Sequence, residues 1–176
     1  MKFLDYEGLQ YFYQRYIVPL QSGGGGISGL CFSGEELSPE AITEDPAAEY
    51  KVIQKSSSAA SDLFTVLSDT AFGTYSCIVR AKVDQNSSSE ELIEITVSYV
   101  NGEERTVLKT VTIKAANFNT ANTYQTLGFV FEFSGTQAEG RQLEISAKLK
   151  QTSSPVQVSI DYMLIERAAP AIYSLS

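Results

Sequence analysis

From Tyr50 onward, apolar and polar residues alternate with a period of two, and this pattern restricts the possible folds more than any other feature of the chain. Successive side chains of a strand point to opposite faces, so the period belongs to strands with one buried face. Tyr75, Cys77, Val79, Ala81 and Val83 alternate with Ser76, Arg80 and Lys82, with Ile78 as the exception. Ile93, Ile95, Val97 and Tyr99 alternate with Glu94, Thr96 and Ser98. Asn101-Gly102 then signals a hairpin into a strand over 107–113. Leu127, Phe129, Phe131 and Phe133 line one side of the next strand, opposite Gly128, Val130 and Glu132. Leu143, Ile145, Ala147 and Leu149 follow the same rule. In the last run Val156, Val158, Ile160, Tyr162 and Leu164 are expected inside, with Gln157, Ser159, Asp161 and Met163 opposite.

Weaker strands near 50–54 and 63–67 bring the count to about eight, which predicts an all-β, antiparallel jelly-roll β-sandwich. An immunoglobulin arrangement is disfavoured because the chain has no tryptophan to sit against an intersheet disulfide. Ahead of the sandwich the period differs. Leu9, Phe12, Tyr13, Tyr16 and Ile17 fall on one face of a short N-terminal α-helix, with Asp5 at its start and Pro19 at its end. So short a helix is marginal alone, which makes this aromatic face the expected assembly or anchor surface. Gln21 to Gly26 reads as a linker. The expected organisation is a helical attachment segment over 1–20, a Gly-rich linker over 21–29 and a sandwich over 30–176. Leu30-Cys31-Phe32 is a candidate additional strand.

The chemistry available is narrow. The chain has no histidine, which removes the usual general base, the usual nucleophile partner and the commonest zinc ligand. The acidic pairs Glu35-Glu36, Glu90-Glu91 and Glu103-Glu104 lie in or beside polar loops, and Glu132 and Asp161 lie opposite apolar rows, so no catalytic carboxylate pair is expected. Asp84, Asn86, Glu90 and Asp161 offer oxygens to calcium but make no loop of recognisable ligand spacing, and the expectation is no metal and no cofactor. The net charge of -8 opposes a phosphate backbone, which argues against nucleic acid. No apolar run reaches the ~20 residues needed to cross a bilayer. The start lacks a signal-peptide pattern, so synthesis and folding in a cytoplasm are expected. Cys31 and Cys77 are expected to be reduced thiols. A sugar platform would have to come from the 10 Tyr and 9 Phe residues, and Phe118, Tyr124 and Tyr173, in less periodic contexts, are the candidates.

Two resemblances add to this reading. Lys2-Phe3-Leu4-Asp5-Tyr6-Glu7-Gly8-Leu9-Gln10-Tyr11-Phe12 resembles the leader of tail-fibre and head-fibre proteins in virions of phages that infect Gram-positive bacteria, with Tyr13 where that leader has tryptophan. Gly73-Thr74-Tyr75, Val79-Arg80-Ala81-Lys82 and Val158-Ser159-Ile160-Asp161-Tyr162 are similar to the pattern of carbohydrate-binding-module-like jelly rolls. The resemblances imply a non-enzymatic virion protein, made in the host cytoplasm and carried on the virion. Its helix would pack on copies of itself, most simply as a homo-trimer, or on other virion proteins, and its sandwich would face a host-surface glycan. The second reading is a carbohydrate-binding module, free-standing or appended to an enzyme. The third, a hydrolase on a jelly-roll scaffold, would need paired acids in a cleft.

Overall fold

The computed structural model describes residues 29–38, 43–134 and 141–167. The proposed N-terminal helix, most of the linker and the last residues, 168–176, lie outside these. In chain order the elements are β1 (Gly29–Ser33), the four-residue helix α1 (Gly34–Leu37), β2 (Ile53–Ser56), β3 (Ser61–Ser68), β4 (Gly73–Val83), β5 (Glu91–Asn101) and β6 (Glu104–Lys114). A 3-10 turn, Ala115–Asn117, then leads to β7 (Gln125–Phe133), β8 (Arg141–Leu149) and β9 (Gln157–Arg167).

These strands form two antiparallel sheets packed as a jelly-roll sandwich. Sheet A has the order β1-β9-β4-β7, with β2 sharing the same edge of β9 as β1; sheet B has the order β3-β8-β5-β6. The alternating residues explain the layers. Cys77, Val79, Ala81 and Val83 of β4, Phe131 and Phe133 of β7, and Met163 and Ile165 of β9 face Ile93, Ile95 and Val97 of β5 and Leu143, Ile145, Ala147 and Leu149 of β8, all within one continuous core. Burying large side chains on this scale, at about 25 cal/mol per Å² of apolar surface, is what opposes chain entropy. Burial also pushes the Cys77 thiol up to about 12, so it stays protonated at neutral pH.

The hairpin between β5 and β6 forms at the Asn-Gly signal, but its loop is shifted one residue beyond the dipeptide. Asn101 is the last paired residue, opposite Glu104, and the two-residue loop is Gly102-Glu103. Gly102 has φ 62. A positive φ at the first loop position, with glycine there, is the type II′ requirement.

The last strand departs from its expected phase. In β9, Tyr162 pairs with Arg80 and Ile160 pairs with Ala81, so Asp161 is an extra residue opposite nothing on β4. One inserted residue reverses the facing of everything beyond it. Met163 and Ile165 are therefore the core residues, while Tyr162 and Leu164, expected inside, lie on the outer side of sheet A.

The start of the sandwich is held by close packing at α1. The Ser33 backbone N–H and its hydroxyl both donate to Glu36 Oε2, at 3.0 and 3.1 Å, which fixes the helix entry. Gly34 lies so close to the Lys51 carbonyl that a methyl group there would overlap backbone atoms. Gly34→Ala should therefore lower stability by about 1–3 kcal/mol, as overpacking does. A lower urea midpoint with unchanged slope is the expected result; an unchanged midpoint would mean that the 34–51 contact yields without strain.

Candidate functional site

Among the described residues, the bulge in β9 builds a polar cluster that combines charge, aromatic rings and burial. Asp161 is fully buried although it faces away from the core. What covers it is the segment 43–52, which crosses the outer side of sheet A as a strap closed by the Thr43–Val52 bridge. Asp161 Oδ2 accepts the Glu49 N–H at 3.0 Å and Oδ1 accepts the Tyr50 N–H at 2.9 Å. The same carboxylate forms an ion pair with Arg80, whose guanidinium also lies 3.3 Å from Glu49 Oε1. A buried charge persists only when paired and hydrogen-bonded, and here both conditions are met.

A second fastening lies alongside. Asp45 pairs with Lys82, accepts the Ala47 N–H at 3.0 Å and accepts the Tyr124 hydroxyl at 3.0 Å. The Lys82 contact, then the Ala47 N–H, hold the Asp45 carboxyl below its usual value. The cations lie over rings: Arg80 Cζ is 4.9 Å from the Tyr124 centroid and 5.9 Å from that of Tyr162, and Lys82 Nζ is 4.9 Å from Tyr124. Tyr50 meets Tyr162 edge to face at 6.1 Å. Burial, reinforced by Glu49, pushes the Tyr162 phenol up to about 12; burial and then the Asp45 hydrogen bond raise Tyr124. Both phenols are neutral hydroxyls at physiological pH.

Register extends this cluster into a face. Ser33, Tyr162, Arg80 and Thr126 form one row across four strands, and Cys31, Leu164, Ile78 and Gly128 form the next. Leu164 and Ile78 are half-buried, whereas Thr126 and Gly128 are exposed, and exposed Val130 lies beside Ser76 in the third row. Ile78, the exception to the alternation of β4, is thus an apolar residue on an outer face. Tyr50, Tyr124 and Tyr162 are half-buried and absent from the core and from the partly buried residues packed on it.

The aromatic candidates fare differently. Tyr124 sits in the cluster. Phe118 does not form an exposed platform: it is 1% exposed and belongs to the core. The 3-10 turn draws it inward, its N–H donating to Ala115 O at 3.1 Å and its carbonyl accepting Asn86 Nδ2 at 2.9 Å. Leu9, Phe12, Tyr13, Tyr16, Ile17 and Tyr173 lie outside the described residues. Tyr50, Arg80, Lys82 and the outward Tyr162 were not among the sequence-derived site residues. The interruption at Ile78 and the Arg80…Asp161-Tyr162 pattern were the available signals.

Several of the acids and calcium candidates have partners away from this cluster. Asp84 accepts the Gln157 N–H, Glu90 accepts both the backbone and hydroxyl of Ser153, Glu35 pairs with Lys51, and Glu94 pairs with Lys150. Among the described residues no three His, Cys, Asp or Glu side chains group as metal ligands. Removing the central acid should release the strap. Asp161→Ala leaves Arg80 partly buried with its pairing reduced, plus two unpaired N–H groups, and should cost about 3 kcal/mol in urea unfolding. Hydrogen exchange should rise at Glu49 and Tyr50 before it rises in β5; uniform protection in the variant would sink the assigned role.

No protein-family model matches the chain, and no curated protein matches it. Among solved structures it is similar to a carbohydrate-binding module of Cellvibrio mixtus lichenase 5A in complex with cellotriose, at 13% identity over 80% of this chain and 98% of that one, with a TM-score of 0.44. It is also similar to the CBM36-1 domain of a multidomain xylanase from the hindgut metagenome of Trinervitermes trinervoides, at 11% identity over 81% and 99% of the two chains, TM-score 0.46. A third similar structure is the insecticidal delta-endotoxin Cry8Ea1 of Bacillus thuringiensis, at 13% identity over 83% of this chain and 25% of that one, TM-score 0.47. Likeness at this level carries no information about ligand or activity.

Proposed function

We propose that the sandwich is a non-catalytic carbohydrate-binding domain whose ligand face is the outer side of sheet A beside the strap. The observation that carries this reading is the convergence of Tyr50, Tyr124 and Tyr162, outside the core, around Arg80 and Lys82. Sugar rings present apolar C–H faces edged by hydroxyls. They call for aromatic surfaces held rigid beside hydrogen-bonding groups, as recognition sites in general combine apolar walls with a few fixed polar atoms. Tyrosine supplies both at low entropic cost. The commitment of Asp45 and Asp161 to cations and backbone N–H groups favours binding over hydrolysis, since a general acid or base must be available to exchange protons. Binding to soluble polysaccharides, read by affinity electrophoresis, is the test. Tyr162→Ala should weaken the retardation roughly tenfold, the scale of an interface anchor. Retardation by no polysaccharide in a broad panel would end the reading.

The leader pattern of residues 2–12 supports a second, compatible element: the domain is carried on a virion, joined to it or to further copies through Leu9, Phe12, Tyr13, Tyr16 and Ile17. Light scattering after size exclusion should give a trimer for the full chain and a monomer for the Phe12→Asp/Tyr16→Asp variant. A trimer in both would place the assembly surface elsewhere.

A further inference from the structure

The outer side of sheet A carries far more negative than positive charge, and the cations it does have are already matched. Arg80 faces Asp161 and Glu49, and Lys82 faces Asp45. The remaining titratable groups on the strands of this face are acids, and beyond the β7 edge Lys109 of β6 is engaged with the Val130 carbonyl, to which its ammonium donates at 2.7 Å. Glu166 lies opposite Ser76 in the third row, and Glu132 lies opposite Thr74 at the exposed end of β7. A carboxylated sugar on the row of Leu164 and Ile78 would meet no cation without a partner; Glu166, one row or about 7 Å away, lies within a Debye length of about 8–10 Å, and Glu132, two rows away, adds a weaker repulsion. The chain as a whole, at -8, repels polyanions from further away.

The shape of the face selects as well as its charge. The row Cys31, Leu164, Ile78 and Gly128 runs across four adjacent strands. At about 4.8 Å per strand spacing, three steps cover about 14 Å. That is the length of a short oligosaccharide rather than of one ring. Gly128 contributes no side chain, so the row leaves Ile78 open toward the β7 edge, where Thr126 and Gly128 are exposed. A chain lying on Leu164 and Ile78 would pass beside Tyr162 in the parallel row, with the hydroxyls of Ser76 and Thr126 on either side.

From these observations we infer that the face takes a stretch of a neutral glycan chain laid across the strands, and that Glu132 and Glu166 exclude uronate-bearing chains. This rests on the carbohydrate-binding reading and adds to it the class of glycan and the residues that set it. Neither rim carboxylate makes a side-chain hydrogen bond or ion pair within the described residues, so both can be changed without loosening the strap.

The test uses the full chain in affinity electrophoresis against neutral polymers (mixed-linkage glucan, xyloglucan, galactomannan) and uronate polymers (polygalacturonate, alginate). Three proteins are compared: the natural sequence, Tyr162→Ala, and Glu132→Lys/Glu166→Lys. The natural chain should be retarded by at least one neutral polymer and by neither uronate. Tyr162→Ala should weaken that retardation roughly tenfold, and the double variant should keep it and gain uronate binding that about 0.5 M salt, several times physiological ionic strength, abolishes. Uronate binding by the natural chain that Tyr162→Ala weakens would overturn the charge inference and leave the sugar face standing. A double variant that gains no uronate binding overturns the role given to the rim. Retardation of the natural chain by no polymer removes the carbohydrate reading itself and this inference with it.

Discussion

One extra residue in β9 places two consecutive side chains, Asp161 and Tyr162, on the same side of sheet A, and most of the outer architecture follows from that insertion. A regular strand would have sent one of them into the core. With the bulge, Ile160 and Met163 keep their places inside while the residues between them both turn outward. The carboxylate and the ring then reach across to β4 and to the strap together. A bulge that re-aims side chains in this way disrupts the local ladder, and the strap supplies the compensating hydrogen bonds from outside the sheet.

The electrostatics of the clamp explain why the strap holds one position. A loop of this length gains little from apolar burial, and its backbone donors must be satisfied somewhere. Two consecutive N–H groups, those of Glu49 and Tyr50, end on one carboxylate. Arg80 pairs with that carboxylate in its buried place. Replacing the ion pair with apolar residues of equal volume would fill the space between strap and sheet just as well, but nothing would then fix the strap in register. The pair therefore contributes positional specificity more than net stability. Lys82, Asp45 and Tyr124 repeat the same logic one row further along β4.

The strands were legible in the sequence because burial on one face imposes a period of two, and β4, β5, β7 and β8 obey it almost residue by residue. The hairpin at Gly102 was legible because few residues tolerate its backbone. The phase of the end of β9 was not legible. Tyr162-Met163-Leu164-Ile165 is apolar or aromatic at every position, so either alternation fits, and only the pairing with Arg80 and Ala81 decides between them. Phe118 misled for a related reason: its surroundings are polar and aperiodic, yet a single turn after β6 carries it into the core. Asp161 illustrates the opposite error. A carboxylate opposite an apolar row is expected to face solvent, and here it is buried by a segment 111 residues away in sequence. Contacts of that separation leave no local periodic trace.

These two halves of the structure, clamp and face, are coupled. Tyr50 comes from the strap and Tyr162 from the bulge, and their edge-to-face contact exists only while Asp161 holds the backbone of Tyr50 in place. A recognition surface assembled from a loop ordinarily loses affinity to the entropy of ordering that loop when ligand arrives. Here the strap is already ordered in the folded chain by a buried charge pair, which in the proposed reading takes no part in recognition. Half-buried tyrosines whose rings are already packed against cations and against each other lose little further freedom on contact with a partner. The same arrangement consumes the positive charge of Arg80 and Lys82 internally. On the carbohydrate-binding reading proposed above, a face preorganised by its own ion pairs is left to recognise shape, C–H surface and hydroxyls rather than charge.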